Sequence, residues 1–403
     1  MTTFYYWLGS AIILVQFLCV LLVLRNSQFS LSKYKKVRSW YRPRTVLIVP
    51  CKGIDLDFEK NIRSLFEQDF NNYLLWFVVE SQQDPAYEKL CRLKEALGPK
   101  SQVLECKVWV AGIGSICSQK IHNLLYCCRR IPDDAEVLAF ADSDICVRTD
   151  WLSHLVYPLR QEKNGVASGY RWFVPKRNNL PTLGLSAGNA KVVQLLGNSI
   201  FNQAWGGSMA MRVKVFRQLD IERIWQTALS DDLSLSRAVK RAALKVAFVP
   251  ACMVPSFEDT TWLKAFEFVR RQFLITKVFN RGTWWFSIIT MTGSVLVTWG
   301  TVVVALFAAA QCLPRLWFFI AVPVVSVASQ FVRACARQFV ASRLLRNELQ
   351  RMKPAIAADI FLFWLWSIML WALIVSTSFG RTIRWRGIRY KMLSPTQTVV
   401  LKD

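Results

Sequence analysis

The chain has 403 residues, of which 53% are hydrophobic, with 17 Trp and 26 Phe. This composition excludes an ordinary water-soluble globular protein and predicts membrane segments beside one large folded domain. The net charge of +24 comes from 51 Lys and Arg against 27 Asp and Glu. Because the basic residues cluster beside uncharged apolar stretches, we expect them to contact an anionic lipid surface and expect no nucleic-acid partner.

The first uncharged stretch, residues 4–24, is 21 residues long, which suffices for a helix across a bilayer core of ~30 Å. A cleaved signal peptide would need a basic n-region and a small-residue cleavage site, and neither is visible. Residues 1–25 are therefore interpreted as a transmembrane signal anchor. Residues 25–44 carry seven basic residues and no acid, which places the following domain, residues 44–282, in the cytosol.

The eleven Cys are scattered without a CxxC pair, as expected of thiols kept reduced in the cytosol. With only His122 and His154 available, a zinc site is not expected, and both are interpreted as structural. Neither GxGxxG after the first strand nor GxxxxGK[ST] occurs, which argues against a dinucleotide-binding dehydrogenase and a P-loop ATPase.

Within the middle domain, short apolar runs alternate with helix-like stretches. The pattern predicts strands over 45–50, 74–79, 103–110 and 137–141, and helices over 58–68, 85–97 and 117–130. Such alternation predicts a mostly parallel α/β sheet. Ligands of these sheets bind beyond the carboxyl ends of the strands.

Polar residues follow the first two predicted strands. Lys52 and Gly53 follow the first, where the glycine lets the backbone approach a ligand or simply makes a tight turn. After the second strand, Glu80 could accept hydrogen bonds from a base or ribose. Asp84 either belongs to the same site or only caps the helix that Pro85 opens.

The fourth predicted strand carries the strongest signal. Its five apolar residues, 137–141, run directly into Asp142 and Asp144. Two carboxylates placed there can hold Mn²⁺ or Mg²⁺, which in turn holds a diphosphate. Asp-Ser-Asp is also an ordinary turn sequence, but after a buried strand it indicates a nucleotide-sugar transferase. Lys120 and Asn123, one turn apart at the start of a helix, could reach a phosphate.

Two later segments offer further candidates. Gly207 lies in a paired-glycine segment that either permits close approach of a substrate or forms a structural turn. Asp231 and Asp232 follow Ser230, an N-cap residue, in a first helical turn where the helix dipole favours anions. The alternative is that one of the two carboxylates is the general base that takes a proton from an acceptor hydroxyl.

Arg270, Arg271 and Gln272 lie just before the next uncharged stretch. The arginines could extend their charged ends to lipid headgroups. Alternatively, Arg271 and Gln272 close over a leaving diphosphate and neutralise its charge.

Residues 283–380 form the C-terminal membrane region, with uncharged stretches at 283–314, 316–332 and 360–380. Between them, residues 333–353 hold six basic residues and one acid and could form an interfacial helix. If all three stretches spanned the membrane, the basic tail, residues 381–403, would lie outside, against its charge. We therefore expect a cytosolic tail.

Taken in order, these pieces resemble the family 2 glycosyltransferases and, more closely, the ceramide glucosyltransferases and their bacterial relatives. The matching segments are Pro50-Cys-Lys-Gly-Ile-Asp, Asp84-Pro-Ala, Lys120-Ile-His-Asn, Asp142-Ser-Asp, Gly206-Gly-Ser-Met-Ala-Met-Arg212, Asp231-Asp232, Arg270-Arg-Gln and Thr382-Ile-Arg-Trp-Arg-Gly-Ile-Arg-Tyr390. The resemblance covers nearly the whole chain. It implies a GT-A fold, an inverting displacement at the anomeric carbon, a UDP-sugar donor and a membrane lipid acceptor.

The resemblance also implies roles for individual residues. Asp142 and Asp144 would hold Mn²⁺ or Mg²⁺ on the diphosphate, and Asp232 would be the catalytic base. The family's first acidic position, which contacts the nucleotide base, falls near Ser81, so either Glu80 takes its role here or the contact is lost.

A second departure concerns the Q/R-x-x-R-W element, which in the family binds the diphosphate and the acceptor region. Its Arg-Trp pair is replaced by Gln272-Phe273, with Arg270 and Arg271 just before it. This departure bears on the acceptor site.

Three rival functions remain open. A polyprenyl-phosphate glycosyltransferase has an ionised acceptor and needs no base, a processive polysaccharide synthase needs a polymer channel, and a membrane scaffold needs no catalysis. The residues together favour a lipid glycosyltransferase, with glucose as the sugar that the resemblance implies. The sequence does not identify the acceptor lipid. The membrane is either a bacterial cytoplasmic membrane or a eukaryotic endomembrane.

Overall fold

The structure is a computed structural model that describes residues 2–34, 40–55, 57–385, 387–395 and 397–401. Residues 35–39 of the predicted basic cluster, and residues 386, 396, 402 and 403 of the predicted basic tail, lie outside the described residues. Within the described ranges, a long helix comes first, an α/β domain follows, and a helical region and a small sheet end the chain.

The elements are numbered in chain order. The first helix and the α/β domain comprise α1 (Thr2–Tyr34), β1 (Thr45–Pro50), α2 (Phe58–Phe66), β2 (Tyr73–Val79), α3 (Pro85–Leu97), β3 (Val103–Val110), α4 (Gln119–Cys128), β4 (Val137–Ala141), α5 (Trp151–Val156), β5 (Asn164–Pro175), α6 (Leu180–Val193), β6 (Ser208–Arg212), α7 (Val213–Gln218), α8 (Ile221–Trp225), α9 (Asp231–Arg241) and β7 (Lys245–Glu258). The rest comprises α10 (Trp262–Phe279), α11 (Arg281–Val295), α12 (Thr301–Ala310), α13 (Leu316–Leu344), α14 (Leu349–Phe361), α15 (Phe363–Ser376), β8 (Thr382–Trp385), β9 (Ile388–Ser394) and β10 (Gln397–Leu401).

The α/β domain is built on one seven-stranded sheet with the order β3-β2-β1-β4-β6-β5-β7. β1 is parallel to both β2 and β4, and β2 is parallel to β3. β6 is antiparallel to β4 and β5, whereas β5 and β7 are parallel. The predicted α/β fold with a mostly parallel sheet is therefore confirmed.

The strand order reverses at β1, because the chain continues to β2 and β3 on one side and returns to β4 on the other. A crevice for ligands opens at such a switch point, beyond the carboxyl ends of the strands. Antiparallel β6 starts at the same edge, since Ala141 at the end of β4 pairs with Ser208 at the start of β6. Residues that follow β1, β2 and β4 therefore meet residues that precede β6.

Both faces of the sheet are covered, as the unbroken apolar run of β1 requires. Val46 and Ile48 pack into an apolar cluster with α4, α8 and α10, whereas Leu47 and Val49 pack into a second cluster with α2, α3 and α5. All four side chains are 0% exposed. Burying a side chain of this size contributes roughly 1.5–3 kcal/mol, so β1 is a rigid support for the turn that follows it.

Among the described residues, three helices are long and apolar enough to cross a membrane: Thr2–Tyr34, Arg281–Ala310 and Leu316–Leu344. The second consists of α11 and α12 with a π-helical turn between them. α14 and α15 form a further candidate, bent by 84°, which is either a broken span or a re-entrant segment. These helices agree with the predicted membrane protein.

The tail forms a three-stranded antiparallel sheet with the order β10-β9-β8. On one face, Ile383, Tyr390 and Met392 are buried in the same apolar cluster as α4 and α10. The other face exposes Arg384 and Lys391. The tail sheet is thus a part of the α/β domain's core, and the two lie on the same side of any membrane.

A buried ion pair joins α13 to α14. Arg337 donates from Nε to Oδ2 of Asp359 at 2.6 Å and from Nη2 to Oδ1 at 2.5 Å. Its Nη1 donates to Gln194 Oε1 at 3.1 Å, just after α6. The side chains of Arg337 and Asp359 are 4% and 0% exposed, so this pair fastens the membrane helices to the α/β domain.

We predict that Asp359→Asn lowers the free energy of unfolding by roughly 3–5 kcal/mol, because it leaves Arg337 as an uncompensated buried charge. Replacing both partners with leucine should restore most of the loss, since no unpaired charge then remains. Denaturation of the purified protein in detergent measures both variants. Equal losses in the single and double variants would contradict this account of the pair.

Candidate functional site

The predicted site residues lie in three groups. The first group surrounds one ammonium and comprises Lys120, Asp142, Gly207, Asp231 and Asp232, with Asp144 two residues beyond Asp142. The second group, at the ends of β1 and β2, comprises Lys52, Gly53, Glu80, Asp84 and Asn123. The third group, on α10, comprises Arg270, Arg271 and Gln272.

The centre of the first group is the ammonium of Lys120. It lies 2.8 Å from Oδ1 of Asp142 and 3.1 Å from Oδ2 of Asp231. Lys120 is in the first turn of α4, where Ser118 is the N-cap and accepts a hydrogen bond from the backbone of Ile121. The start of α4 therefore directs the Lys120 side chain toward Asp142, which follows β4, and toward Asp231, which opens α9.

Charge and burial act against each other in this group. Burial opposes the charge on Lys120, but three neighbouring carboxylates outweigh it and raise the pKa of Lys120. Burial raises the pKa of Asp231 to about 6; Lys120 opposes this shift, whereas Asp232 and Asp142 act with burial. Three carboxylates thus face one ammonium, an arrangement that attracts further cations.

Asp232 is held at both carboxylate oxygens. Oδ1 accepts from the hydroxyl of Ser230 at 2.5 Å and from the backbone of Leu233 at 2.7 Å. Oδ2 accepts from the backbone N–H of Gly206 at 3.1 Å. Ser230 also caps α9, so the N-cap interpretation of this segment holds, and it leaves Asp232 half-buried in a fixed orientation.

The paired glycines pack directly on the charged group. A Cβ atom on Gly206 would lie 2.3 Å from Oδ2 of Asp231 and 2.7 Å from Nζ of Lys120. A Cβ atom on Gly207 would lie 2.3 Å from the Trp205 ring. Real Cβ atoms essentially never come this close to another atom, so a side chain on Gly206 would displace Asp231 and Lys120, and one on Gly207 would displace the Trp205 ring.

In the second group, Lys52 and Glu80 form an ion pair at 2.8 Å. The backbone N–H of Gly53, at φ +67°, donates to both oxygens of Asp84, at 2.9 and 3.1 Å. Asp84 also accepts from Ala86 N at 2.9 Å as the cap of α3. One carboxylate therefore caps α3 and fixes the turn after β1, and a contact of Asp84 with a ligand stays a prediction.

Asn123 is buried, with 2% of its surface exposed. Its Oδ1 accepts from Gln119 Nε2 at 2.8 Å, and its Nδ2 points to the carbonyl of Val78 at 3.5 Å. Asn123 thus links α4 to the end of β2, and a direct contact with a phosphate stays a prediction.

The α10 residues have partners in the helical region. Arg270 donates to Ser376 Oγ at 3.1 Å and to the carbonyls of Ser376 and Phe379, so its guanidinium ties α10 to the end of α15. Arg271 lies 5.3 Å from the centroid of the Phe268 ring. A contact of Arg271 or Gln272 with a diphosphate stays a prediction.

Asp142 and Asp144 suit a hard divalent cation by their chemistry. Mg²⁺ and similar ions need only one or two protein carboxylates when phosphate and water oxygens complete the shell. Asp142 is half-buried and Asp144 exposed, and the neighbouring charge is negative. No group of three or more His, Cys, Asp or Glu that could hold a metal converges within the described ranges, so a metal here would depend on substrate oxygens.

Sequence reasoning gave no site role to Gly206, to Gln119 or to Arg171, which forms a wall with Trp205 and Phe268. The Arg171 guanidinium lies 5.7 Å from the centroid of the Trp205 ring and 5.2 Å from that of Phe268, so it joins the glycine segment to α10. The sequence signal for Arg171 was its position between two aromatic residues, Tyr170 and Trp172, in an otherwise apolar strand. Within the glycine pair, only Gly207 was taken as a site residue, although Gly206 is the one that packs on Asp231 and Lys120.

A family model described as Glycosyl transferase family 21 matches residues 6–398. The chain belongs to glycosyl transferase family 21. This is the family of the ceramide glucosyltransferases, so the closer of the two predicted resemblances is the one confirmed. The predicted enzyme class, a glycosyltransferase, and the GT-A-type α/β fold are likewise confirmed.

Two solved structures are similar to this family 21 glycosyltransferase at low identity. The mannosyltransferase PcManGT from Pyrobaculum calidifontis, in complex with GDP-Man and Mn²⁺, is 16% identical over 92% of this chain and 96% of that chain, with a TM-score of 0.48. GalNAc-T7 with UDP, GalNAc and Mn²⁺ is 11% identical over 58% of this chain and 48% of that chain, with a TM-score of 0.38.

We predict that Gly206→Ala lowers glycosyltransferase activity by at least ~100-fold, because the added methyl group displaces Asp231 and Lys120, and small misplacements of site groups have effects of that size. Gly98→Ala is the matched control, since a Cβ there meets nothing within 4 Å. Turnover and thermal stability are measured for both variants. A Gly206→Ala enzyme with near wild-type turnover would show that the ion-pair geometry is not needed.

Proposed function

We propose that this glycosyltransferase moves a sugar from a UDP-sugar to a hydroxyl group of a membrane lipid, with inversion at the anomeric carbon. Glucose and ceramide are the sugar and the acceptor that the resemblance implies. The observation that carries the proposal is Asp232, whose carboxylate is oriented by three hydrogen bonds beside the Lys120 group. A hydroxyl acceptor needs such a base, whereas an ionised phosphate acceptor does not.

The chain's own residues would act as follows. Asp232 accepts the proton of the acceptor hydroxyl while that oxygen bonds to the anomeric carbon. The bond from that carbon to the diphosphate breaks, and the electron pair leaves with the nucleotide. Lys120 stands where it can offset diphosphate charge, and Lys52 with Glu80 lies at the strand end proposed for the nucleotide base.

Asp142 and Asp144 are the residues that would hold Mn²⁺ or Mg²⁺, and such an ion would neutralise charge on the leaving diphosphate. The excess of carboxylates over ammonium groups around Lys120 supports this assignment.

The position of the site beside the membrane helices supports a lipid acceptor. α10, which leads into the first membrane helix after the α/β domain, exposes Trp262 and Leu263 by 51% and 67%. Aromatic and apolar side chains of this kind are favoured at the membrane interface. The aromatic wall of Arg171, Trp205 and Phe268 continues from α10 to the glycine segment beside Asp232.

A surface for anionic lipid headgroups is also part of the proposal. Arg384 and Lys391 lie on the outward face of the tail sheet, which follows α15 directly. In that sheet Arg384 lies directly opposite Arg389 on the neighbouring strand. Two like charges in this position repel each other, and nearby anions reduce the repulsion. Anionic headgroups supply such charges at a membrane surface.

The proposed topology has the α/β domain and the tail together in the cytosol. Because both ends of the helical region join one core, the chain must cross the membrane an even number of times between them. α11 and α12 cross outward, α13 crosses back, and the bent pair α14–α15 re-enters without crossing. Contacts of α15 with α6 support this arrangement, since Lys191 donates to Ser367 Oγ at 2.6 Å. Because only two crossings then separate the α/β domain from the tail, the basic tail stays in the cytosol, as its charge favours.

The topology predicts opposite accessibility at two positions. Cys312, exposed between α12 and α13, should react with a membrane-impermeant maleimide from the non-cytosolic side. A cysteine introduced by Gln397→Cys in β10 should react only from the cytosolic side, and Cys312→Ser provides the background. Labelling of both positions from one side would contradict two crossings.

The function is tested by sugar transfer in nanodiscs. UDP-glucose, UDP-galactose and GDP-mannose are each offered with ceramide, diacylglycerol and polyprenyl phosphate, with and without Mn²⁺. We expect metal-dependent transfer from a UDP-sugar to a lipid hydroxyl, reduced by roughly 10²–10⁴-fold in Asp232→Asn, because the general base is removed.

Asp259→Asn, at an exposed position, is the control and should retain activity. Transfer to polyprenyl phosphate that survives Asp232→Asn would favour the phosphate-acceptor alternative. Absence of transfer with every pair of substrates would overturn the proposed function.

A further inference from the structure

The guanidinium of Arg171 lies among three aromatic rings on the α10 side of the site. Its Cζ is 4.9 Å from the centroid of the Phe173 ring, 5.2 Å from that of Phe268 and 5.7 Å from that of Trp205. These are cation–π distances. Phe173 and Trp205 are only 4% and 8% exposed, so packing fixes two of the rings. The side chain of Arg171 is therefore ordered before any ligand binds.

The three rings leave the hydrogen-bond donors of Arg171 unused. A guanidinium carries five N–H donors, yet no oxygen of the described residues accepts a hydrogen bond from Arg171 or forms an ion pair with it. Burial raises the pKa of the Glu258 carboxyl and the charge of Arg171 opposes that shift, but the two side chains are not in hydrogen-bond contact. The guanidinium of Arg270, by contrast, donates to protein oxygens. Arg171 is thus equipped to bind an oxygen acceptor, such as a carbonyl or a phosphate.

Strand β5 places both Arg171 and one of its rings. The pairing of β5 with β7 shifts register between Ser168 and Tyr170, and irregularities of this kind re-aim the side chains beside them. The backbone N–H of Trp205 donates to the Ser168 hydroxyl at 2.9 Å. The strand that carries the guanidinium therefore also anchors the indole against which it packs.

Trp205 brings Arg171 close to the residues proposed for the chemistry. The next residue, Gly206, donates its backbone N–H to Asp232 at 3.1 Å. The third ring, that of Phe268, belongs to α10, which leads into the first membrane helix after the α/β domain. The guanidinium therefore lies along the path from α10 to Asp232, on which the acceptor lipid is proposed to approach.

Two oxygen ligands are available near such a guanidinium, the donor diphosphate and a carbonyl of the acceptor lipid. The diphosphate is already assigned to Lys120, Asp142 and Asp144, whereas Arg171 contacts α10. Ceramide and diacylglycerol both carry an acyl carbonyl a few bonds from the hydroxyl that would receive the sugar. A lipid whose hydroxyl meets Asp232 thus has a second oxygen for a neighbouring donor, and this favours the carbonyl.

We propose that Arg171 binds the acyl carbonyl of the acceptor lipid and so selects lipids that have an acyl group beside the reacting hydroxyl. The inference deepens the proposed function and rests on it for the transfer reaction. It narrows the acceptor to acyl lipids of the ceramide or diacylglycerol type. Lipid alcohols without a neighbouring carbonyl are then poor acceptors.

The test compares Arg171→Met with the wild type in nanodiscs, because methionine removes every N–H donor and still packs against aromatic rings. Ceramide and diacylglycerol are each paired with an analogue in which an ether replaces the acyl linkage. We expect kcat/KM for the acyl lipid to fall roughly 10- to 100-fold, as for loss of a hydrogen bond to a charged group. kcat/KM for the ether analogue and the KM for the donor should change less than twofold.

Arg160→Met is the matched control, since Arg160 is exposed and its Cζ lies 4.5 and 5.6 Å from the ring centroids of Tyr157 and Trp40. It should leave the preference for the acyl lipid unchanged. Arg171→Lys, which keeps the charge but not the planar fork, should show a smaller loss in the same direction. Equal losses with the acyl and ether lipids would indicate a merely structural role and overturn the proposal. A rise in the donor KM alone would assign Arg171 to the diphosphate and would also overturn it.

A binding measurement keeps the two proposals separate. If the wild type transfers no sugar to any acceptor, the proposed function fails. Binding of radiolabelled short-chain ceramide and its ether analogue to the detergent-solubilised protein then decides the role of Arg171. Weaker binding of ceramide alone in Arg171→Met would support the carbonyl contact, whereas equal binding of both lipids by the wild type would contradict it.

Discussion

The ammonium of Lys120, held between the carboxylates of Asp142 and Asp231, is the interaction around which the site is assembled. Without it, three carboxylates would face one another in a largely buried space, at a high electrostatic cost. This cluster of three residues also joins separate parts of the fold, since Asp142 follows β4, Asp231 opens α9 and Lys120 lies in α4. A side chain on Gly206 would displace these groups, and the N–H of Gly206 orients Asp232.

The same region depends on elements outside the α/β domain. The tail sheet supports the start of α4, while Arg270 fastens α10 to the end of α15. The buried pair of Arg337 and Asp359 joins α13 and α14 near the end of α6. The apolar helices and the tail are therefore held firmly to the domain that carries the site, which suits the proposed lipid acceptor.

Much of the α/β domain could be predicted from local patterns. The bounds predicted for β1, β3, β4 and α3 are those observed, and β2 differs by one residue. The helix predicted over 117–130 is shorter, because Ser118 caps it and starts it at Gln119. β6 was not predicted, since Ser208–Arg212 is short and its partners are distant in sequence. The candidate carboxylates were found because each follows a buried strand or opens a helix.

The sequence by itself determined the α/β class, the long apolar helices and the polar residues that follow the central strands, because periodicity, caps and uncharged runs are local properties of a chain. Only the tertiary structure decided that Lys120 bridges Asp142 and Asp231, that Arg270 is engaged by α15, and that the tail sheet packs in one apolar cluster with α4. These contacts join residues far apart along the chain. They depend on strand order and on the packing of whole elements, for which no local pattern carries a signal.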